Sequence, residues 1–367
     1  MLVVDEFSVK YAHRADALHL MDVLSQKYKY TVDWTGSKYL GMTVVHDKTR
    51  HEITLSMPGN VQAALKRFQV SRNSKPTHSP APFEPPLYGR HVQFTPTDES
   101  PPASPAETTY IQEVIGTFLY YARAVDCTML TTLNKLASRQ SKPTTALYRD
   151  VQHFLQYAAT YPNAAVTYTA SDMRLVLWSD GSYLSESLSR SRAGGYHYLT
   201  GNGDPLLEPP NGAIEAISTI IPTVVSAASE AEYAGLFING QAATSTRQTL
   251  EDLGYPQQAT PIITDNTTAY GIANRTVRLK RSKAIDMRYN WIRRDRVANG
   301  RGLTIHWGPR DSNLLAEYFF TKTHPPHHYR SMRATFVRDK HPFPLPTPRP
   351  RCSPVIHPSP RKLALLV

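Results

Sequence analysis

Carboxylates stand at the ends of apolar, strand-like runs or near the start of a helix in the middle of this 367-residue sequence. Asp180 follows the apolar run Leu175–Trp178, and Asp265 follows a second, shorter apolar run. Glu232 lies between them in a helix candidate, Ser226–Gly240. A two-metal phosphodiester hydrolase needs three such carboxylates on separate rigid elements. Paired Mg²⁺ ions take hard oxygen ligands, one ion activating a water and the other stabilising the leaving oxygen. Spacing alone predicts a metal-binding α/β domain.

The sequence runs WSDGSY, AEYAG and ITDN carry these carboxylates in this order and resemble the metal-site motifs of ribonuclease H. The wider runs SAASEAEYAGL, ITDNTTAYGIAN, SKAIDMRYNWIRRDR and LLAEYFFTK resemble the ribonuclease H end of a copia-type LTR-retrotransposon Pol polyprotein. Four such runs in one order make the resemblance specific, and it covers residues 2–323. It implies a C-terminal Pol fragment whose ribonuclease H-like domain hydrolyses the RNA strand of RNA–DNA hybrids. The implied cofactor is two Mg²⁺ ions, with Mn²⁺ as an alternative.

The resemblance assigns catalytic and metal-binding roles to Asp180, Glu232, Asp265 and Glu317. Glu230 competes with Glu232, but the family's Ala-Glu-Tyr pattern favours Glu232 and leaves Glu230 as a surface carboxylate near a helix N-terminus. Glu317 stands where the family has an Asp. Its extra methylene moves the carboxylate by about 1.5 Å, a displacement that can cost about a hundredfold in rate. A solvated helix glutamate is therefore an alternative for Glu317, and Asp311 is either a substitute ligand or a helix cap.

Each Asp also has an ordinary structural interpretation. Asp180 precedes a glycine and can form an Asp-Gly turn. Asp265 and Asn266 can form an Asx turn that caps the next helix. The family match favours the metal interpretation for both. The small residues Gly181 and Ser182 are expected to leave room beside Asp180 for a metal and a phosphate.

A basic stretch follows the second Asp motif. Such a charge run is usually a solvated face, but this one adjoins a predicted phosphodiester site and is therefore expected to contact the nucleic-acid backbone. The predicted contact residues are Arg278, Lys280, Arg281, Lys283, Arg288, Arg293 and Arg294. The family has a His where this chain has Ala284, so water activation would rest on the metals.

The overall charge points to the same class of partner. Lysine and arginine total 41 against 30 acidic residues, a net charge of +11, which favours a polyanionic partner. No apolar run of about 18 residues is present, so a membrane span is not predicted. Cys127 and Cys352 are too distant to suggest a disulfide framework, and a reducing, intracellular compartment is the default. The family resemblance implies a cytoplasmic particle or the nucleus.

The elements that must position the carboxylates follow the order β-β-β-α-β-α-β-α, which suits a mixed sheet with helices on its faces. The predicted fold class is α/β, a ribonuclease H-like mixed sheet with flanking helices, preceded by a partial reverse-transcriptase palm and thumb of α+β type. The predicted domains are a partial palm at 1–70, a Pro-rich linker or loop at 71–106, a helical thumb or connection at 107–164, the ribonuclease H-like domain at 165–324, and a basic, Pro-rich disordered tail at 325–367.

The N-terminal run MLVVDEFSVKY predicts a hairpin with Asp5 and Glu6 at its tip. It resembles the double-aspartate turn of a reverse-transcriptase palm, and KYLGMTV resembles the hairpin that holds the primer. Polymerisation needs carboxylates from two palm strands around two ions, and the other strand is missing from this sequence. Asp5 and Glu6 are interpreted as a relic polymerase site that needs the upstream Pol segment or a second Pol subunit. An ordinary hairpin tip is the alternative.

Two other functions remain open. The chain can be a catalytically decayed element that binds nucleic acid without cleaving it, or a domesticated module that uses only its basic surface and Pro-rich tail. The missing polymerase half, Glu6, Glu317 and the Pro-rich tail favour decay. Metal-dependent cleavage separates the nuclease from both alternatives.

Overall fold

A computed structural model describes residues 2–3, 6–9, 11–83, 98–277, 290–297, 302–309, 319–339 and 363–366. For residues 2–3, 6–7, 294–296 and 363–366 it describes the backbone alone. The strands are β1 (Leu2–Val3), β2 (Glu6–Ser8), β3 (Tyr30–Asp33), β4 (Lys38–Tyr39), β5 (Met42–Asp47), β6 (Glu52–Ser56), β7 (Ala165–Thr169), β8 (Arg174–Glu186), β9 (Arg190–Thr200), β10 (Ala213–Ile220), β11 (Thr260–Thr264), β12 (Leu303–Trp307) and β13 (Leu363–Leu366). The helices are α1 (Arg14–Ser25), α2 (Asn60–Arg67), α3 (Pro105–Ala124), α4 (Leu130–Ala137), α5 (Thr145–Thr160), α6 (Ala228–Asp252), α7 (Thr267–Ala273) and α8 (Pro326–Phe336).

Two small sheets occupy the N-terminal part of the chain. In the first, β1 and β2 pair antiparallel, as the predicted hairpin requires, and β13 lies parallel between β2 and β3. The second has the antiparallel order β4-β5-β6-β7. Its last strand, β7, begins at the predicted domain boundary at residue 165 but pairs with β6, with Ala165 opposite Ser56. The region after this boundary therefore starts with a strand of the preceding sheet.

Helices α3, α4 and α5 form a bundle in the predicted thumb or connection. Helix α3 begins at a capping box in which Ser104 accepts from the Glu107 N–H and the Glu107 carboxylate accepts from the Ser104 N–H. Helix α5 begins where the Thr144 hydroxyl accepts from the Leu147 N–H. The described residues of the predicted linker that precede α3, 71–83 and 98–104, contain no helix or strand of the series given above, whereas its last two residues, 105–106, belong to α3.

The largest sheet has the order β10-β9-β8-β11-β12. Strands β8, β9 and β10 are antiparallel neighbours, whereas β11 lies parallel to both β8 and β12. Helices α6 and α7 follow in the predicted sequence order. This arrangement confirms the predicted α/β class, a mixed sheet with flanking helices.

Strand β8 is apolar throughout its first half because both faces of the sheet are covered. Leu175 and Leu177 pack with α6, while Val176 and Trp178 belong to a core shared with the helical bundle. The pairing of β8 with β9 keeps a regular register from Arg174 to Ser182, so the alternation of faces continues to the end of this stretch. The sheet and the bundle therefore share one hydrophobic core.

The prediction of a disordered tail from residue 325 is wrong for Pro326–Phe336 and for β13, which pairs with β2 and β3. The segment Pro326–Phe336 forms α8, which buries Tyr329, Arg333 and Phe336 against the bundle and the sheet. Proline at its first turn is compatible with a helix, because the missing N–H would have no intrahelical partner there. The dense prolines lie further along the chain, outside the described residues. In the described part of the chain, no helix is long and apolar enough to cross a bilayer.

Buried polar groups fix α8 to the bundle. The Arg333 guanidinium donates to both carboxylate oxygens of Asp126 at 3.1 and 2.8 Å and to Asp339 Oδ1 at 2.7 Å. It also donates to the hydroxyls of Thr128 and Tyr157 at 2.5 and 2.8 Å. These five residues are called the Arg333 cluster below. Burial opposes the charge on Arg333, but the pairing with Asp126 outweighs it and raises the pKa of the guanidinium.

Candidate metal centre

The parallel strands β8 and β11 deliver two carboxylates to one edge of the sheet. Ile263 of β11 lies beside Trp178 of β8, so Asp180 and Asp265 each lie two residues further along these neighbouring segments. Asp180 is 2% exposed, whereas Asp265 is half-buried. The Trp307 indole N–H donates to the Asp265 carbonyl oxygen at 3.1 Å and ties this position to the end of β12.

Close packing of α6 on β8 adds the third carboxylate. A Cβ at Gly181 would lie 2.7 Å from the Cα of Glu232, and one at Gly235 would lie 2.9 Å from the Asp180 carbonyl oxygen. Both contacts exclude a side chain, so glycine lets the helix approach the strand. Gly181 was expected to leave room for a ligand, but helix backbone fills that space. Its N–H donates to Glu232 Oε2 at 3.0 Å.

Asp180, Glu232 and Asp265 each offer a carboxylate oxygen, and these oxygens lie within 4.8 Å of one another. Opposite oxygens around an octahedral Mg²⁺ are about 4.2 Å apart, twice the metal–oxygen distance of about 2.1 Å. The set is all-oxygen and anionic, which is the donor chemistry that Mg²⁺ and Mn²⁺ prefer. Within the residues that the structure describes, this is the one group of three or more acidic, His or Cys side chains with such spacing. The residues therefore fit a hard divalent cation.

The electrostatics of Glu232 reflect a local excess of negative charge. Burial, and then the neighbouring carboxylates Asp180 and Asp265, raise the pKa of Glu232 well above its ordinary value. The Gly181 N–H and the positive charge of Lys322 act in the opposite direction and are outweighed. A divalent cation among the three oxygens would remove this repulsion.

Neighbouring residues take the structural roles that were the alternatives for the site carboxylates. Asn266 caps α7, because its side-chain oxygen accepts from the Ala269 N–H at 2.9 Å. Glu230 accepts from the Ser226 N–H and hydroxyl at 2.7 and 2.8 Å, on the exposed start of α6. Glu232, and not Glu230, is the helix carboxylate grouped with Asp180 and Asp265.

Thr321 is a neighbour of the centre that the sequence did not single out as a site residue. It is fully buried, and its hydroxyl donates to Asp180 Oδ2 at 2.5 Å. In the sequence, Thr321 and Lys322 end the run LLAEYFFTK, which also contains Glu317. A hydrogen bond between residues 141 positions apart has no local sequence signal.

Several predicted residues cannot be placed. Those outside the described residues are Asp5, Arg278, Lys280, Arg281, Lys283, Ala284, Arg288, Asp311 and Glu317. Glu6 lies in β2, with its side chain outside the description. Arg293 and Arg294 lie in a π-helical segment, Trp291–Val297, where Arg293 is half-buried and the Arg294 side chain is not described.

No family model matches the chain. It is similar to the retrovirus-related Pol polyprotein from transposon TNT 1-94 of Nicotiana tabacum, with 23% identity over 300 residues. The match covers 80% of this chain and 21% of the relative, so the chain spans about one fifth of that polyprotein. This similarity confirms the resemblance to a retrotransposon Pol polyprotein.

Solved ribonuclease H structures also align with the chain. LC11-RNase H1, isolated from compost, is 15% identical with a TM-score of 0.29, over 39% of this chain and 90% of that one. The N-terminal RNase H domain of rv2228c from Mycobacterium tuberculosis is 15% identical with a TM-score of 0.28, over 40% of this chain and 95% of that one. LC11-RNase H1 in complex with an RNA/DNA hybrid is 13% identical with a TM-score of 0.26, over 40% of this chain and 92% of that one.

Proposed function

We propose that this chain is a retrotransposon Pol fragment that cleaves the RNA strand of RNA–DNA hybrids in a metal-dependent reaction. The observation that carries the proposal is the grouping of Asp180, Glu232 and Asp265, whose oxygens lie within 4.8 Å of one another. Glu317 is the proposed fourth ligand. The proposed cofactor is a pair of Mg²⁺ ions, with Mn²⁺ as the substitute.

The three carboxylates would hold the metal by taking complementary roles. Asp180 is buried and fixed by the Thr321 hydroxyl, so it supplies a preorganised oxygen. Asp265, half-buried at the sheet edge, can face both metal and substrate. Glu232 gives up its proton more readily once a cation offsets its neighbours. Bound as a pair, the ions would activate a water and stabilise the leaving oxygen.

The substrate class rests on charge and on the relatives. The net charge of +11 favours a polyanion. The relative is a retrovirus-related Pol polyprotein, and one aligned ribonuclease H was crystallised with an RNA/DNA hybrid. The basic residues from Arg278 to Arg294 would contact phosphates without reading sequence, and RNA would be distinguished by its 2′-hydroxyls.

Cleavage of a labelled RNA–DNA hybrid by the full chain tests the proposal. Cleavage is expected with Mg²⁺ and not with EDTA, and Glu232→Gln should reduce the rate by more than about a hundredfold. Loss of a residue that merely orients a metal ligand costs about 10- to 100-fold, so loss of a ligand costs more. Glu230→Gln, two residues earlier on the same helix, is the matched control and should retain activity.

The outcomes separate the candidate functions. Hybrid binding without cleavage by the folded chain would reject the nuclease and support a decayed nucleic-acid-binding element. Absence of both cleavage and binding would support a domesticated interaction module. The full chain is required because bundle helices cover the second face of the sheet.

A further inference from the structure

The segment Phe319–Thr321 passes through the interior between the sheet and the bundle. All three side chains are fully buried. Asp180 and Ser182 lie on the same face of β8 as Val176 and Trp178, because the register is regular and side chains alternate. That face is the one covered by the bundle, and both residues contact Thr321: Asp180 accepts from its hydroxyl, and Ser182 donates to its carbonyl oxygen at 3.2 Å.

Three consecutive carbonyl oxygens of this segment accept hydrogen bonds from three different elements. The Thr131 hydroxyl of α4 donates to the Phe319 oxygen, and the Ser218 hydroxyl of β10 donates to the Phe320 oxygen at 2.7 Å. Ser182 of β8 supplies the third. Just beyond, the Lys135 ammonium of α4 donates to the Thr323 hydroxyl at 3.2 Å. The backbone around Thr321 is thus held by the sheet and by a bundle helix together.

The hydroxyl of Thr321 has a defined role in this geometry. An ionised carboxylate only accepts hydrogen bonds, so Thr321 is the donor to Asp180. A donor of this kind restricts the orientation of the carboxylate and leaves its other lone pairs for a cation. Hydrogen bonds that orient metal ligands typically change metal affinity or activity by about 10- to 100-fold.

We propose that Thr321 is a positioning residue that orients Asp180 for the metal, and that α4 of the bundle sets its place through Thr131. The helices before the ribonuclease H-like sheet thereby form part of the metal centre. This inference rests on the proposed function, because it assumes that Asp180 is a metal ligand. It predicts that a change in α4 alters metal affinity without touching a carboxylate.

Mn²⁺ binding to the full chain, measured by electron paramagnetic resonance and calorimetry, tests the inference. Thr321→Val keeps the shape of the side chain and removes its donor, and should weaken Mn²⁺ binding about 10- to 100-fold. Thr321→Ser restores the donor and should bind within about threefold of the parent. Thr131→Val should weaken binding by a smaller factor, on the order of threefold.

Thr246→Val is the matched control. Thr246 is a half-buried threonine on α6 whose hydroxyl donates to the Ala242 carbonyl oxygen at 3.2 Å, so the variant loses a similar bond away from the centre. Its Mn²⁺ affinity should equal that of the parent. Rescue by Thr321→Ser distinguishes positioning from a general loss of packing, and it keeps the test decisive if Thr321→Val does not fold.

The inference is overturned if Thr321→Val binds Mn²⁺ within about twofold of the parent, or if Thr321→Ser binds as weakly as Thr321→Val. It is also overturned if the parent binds no Mn²⁺ or if Asp180→Asn binds it equally well. A parent that binds Mn²⁺ with the expected dependence on Thr321 but does not cleave a hybrid leaves this inference standing and rejects the nuclease.

Discussion

Two groups of charged side chains in this molecule, each with a buried Asp, differ in the charges that they bring together. In the Arg333 cluster, one guanidinium donates hydrogen bonds to two carboxylates and two hydroxyls. Its central carbon also lies 4.3 Å from the centroid of the Tyr161 ring. In the metal centre, three carboxylates come together, the Gly181 N–H donating to Glu232 and the Thr321 hydroxyl to Asp180. The first group pairs a cation directly with carboxylates, whereas the second brings three carboxylates together, and there the effect of Lys322 on Glu232 is outweighed.

The difference distinguishes a structural from a functional use of buried charge. Taking ions out of water is costly, and pairing with complete hydrogen bonding offsets that cost in the Arg333 cluster. In the metal centre, burial and the neighbouring carboxylates outweigh the Gly181 N–H and Lys322, and they raise the pKa of Glu232. Strongly perturbed groups of this kind are concentrated at functional sites. A divalent cation would make the second group resemble the first.

The largest stability effect should come from breaking the paired group. Arg333→Met replaces the guanidinium with an unbranched apolar side chain. The Asp126 carboxylate then stays buried without its cation, so the free energy of unfolding should fall by about 3 to 5 kcal/mol. Urea denaturation of the full chain measures it. Arg330→Met, on the exposed face of the same helix, should stay within about 0.5 kcal/mol of the parent. A loss below about 1 kcal/mol for Arg333→Met would contradict complete pairing.

A bound divalent cation should stabilise the metal centre. At Mg²⁺ concentrations of about 100 times Kd, the free energy of unfolding should rise by about 2.7 kcal/mol, because the folded state alone binds the ion. Thermal denaturation with Mg²⁺ and with EDTA measures the difference. Asp180→Asn should lose most of it and Glu230→Gln should keep it, and an equal gain in Asp180→Asn would place the metal elsewhere.

Removing one carboxylate charge from the metal centre should also raise the free energy of unfolding, by a smaller amount. In the metal-free chain, the raised pKa of Glu232 means that the folded state retains a proton that the unfolded state loses above about pH 4.5. Stability therefore falls as pH rises from there through the folded pKa. Glu232→Gln keeps an oxygen for the Gly181 N–H and should stabilise the metal-free protein at pH 8 by roughly 1 to 3 kcal/mol.

Urea denaturation in EDTA at pH 5 and pH 8 checks this sign. The gain from Glu232→Gln should be larger at pH 8, since more of the parent's Glu232 is then ionised. Glu230 is not grouped with Asp180 and Asp265, so Glu230→Gln should show little pH-dependent difference. Destabilisation by Glu232→Gln at pH 8 would mean that the three carboxylates do not repel one another.

Local patterns were sufficient to predict the elements that carry the carboxylates. The apolar run before Asp180 forms the buried strand β8, which continues past Asp180 to Glu186, and the shorter run before Asp265 forms β11, which ends at Thr264. Contacts between distant segments were not predictable. The pairing of β7 with β6, the burial of α8 and the bond from Thr321 to Asp180 depend on partners more than 100 residues away.

Proline density also obscured α8. The composition of the last 43 residues, 325–367, suggested disorder, yet the helix lies before the densest prolines, and Tyr329, Arg333 and Phe336 recur at helical spacing. Because Arg333 is charged and lies between Tyr329 and Phe336 on the buried face, the apolar periodicity that would predict a packed helix is weak. Its partner Asp126 lies 207 positions earlier, so sequence reading had no local reason to treat it as buried.

That separation has a consequence for synthesis of the chain. Helices α3 to α5 leave the ribosome long before Arg333, and at about 5 to 20 residues per second the wait for 207 residues is roughly 10 to 40 seconds. During this interval α8 is not yet available to pack against Asp126 and the apolar face of the sheet. Contacts of such long range slow folding. The metal centre is accordingly completed late, only after the translated chain has passed Thr321.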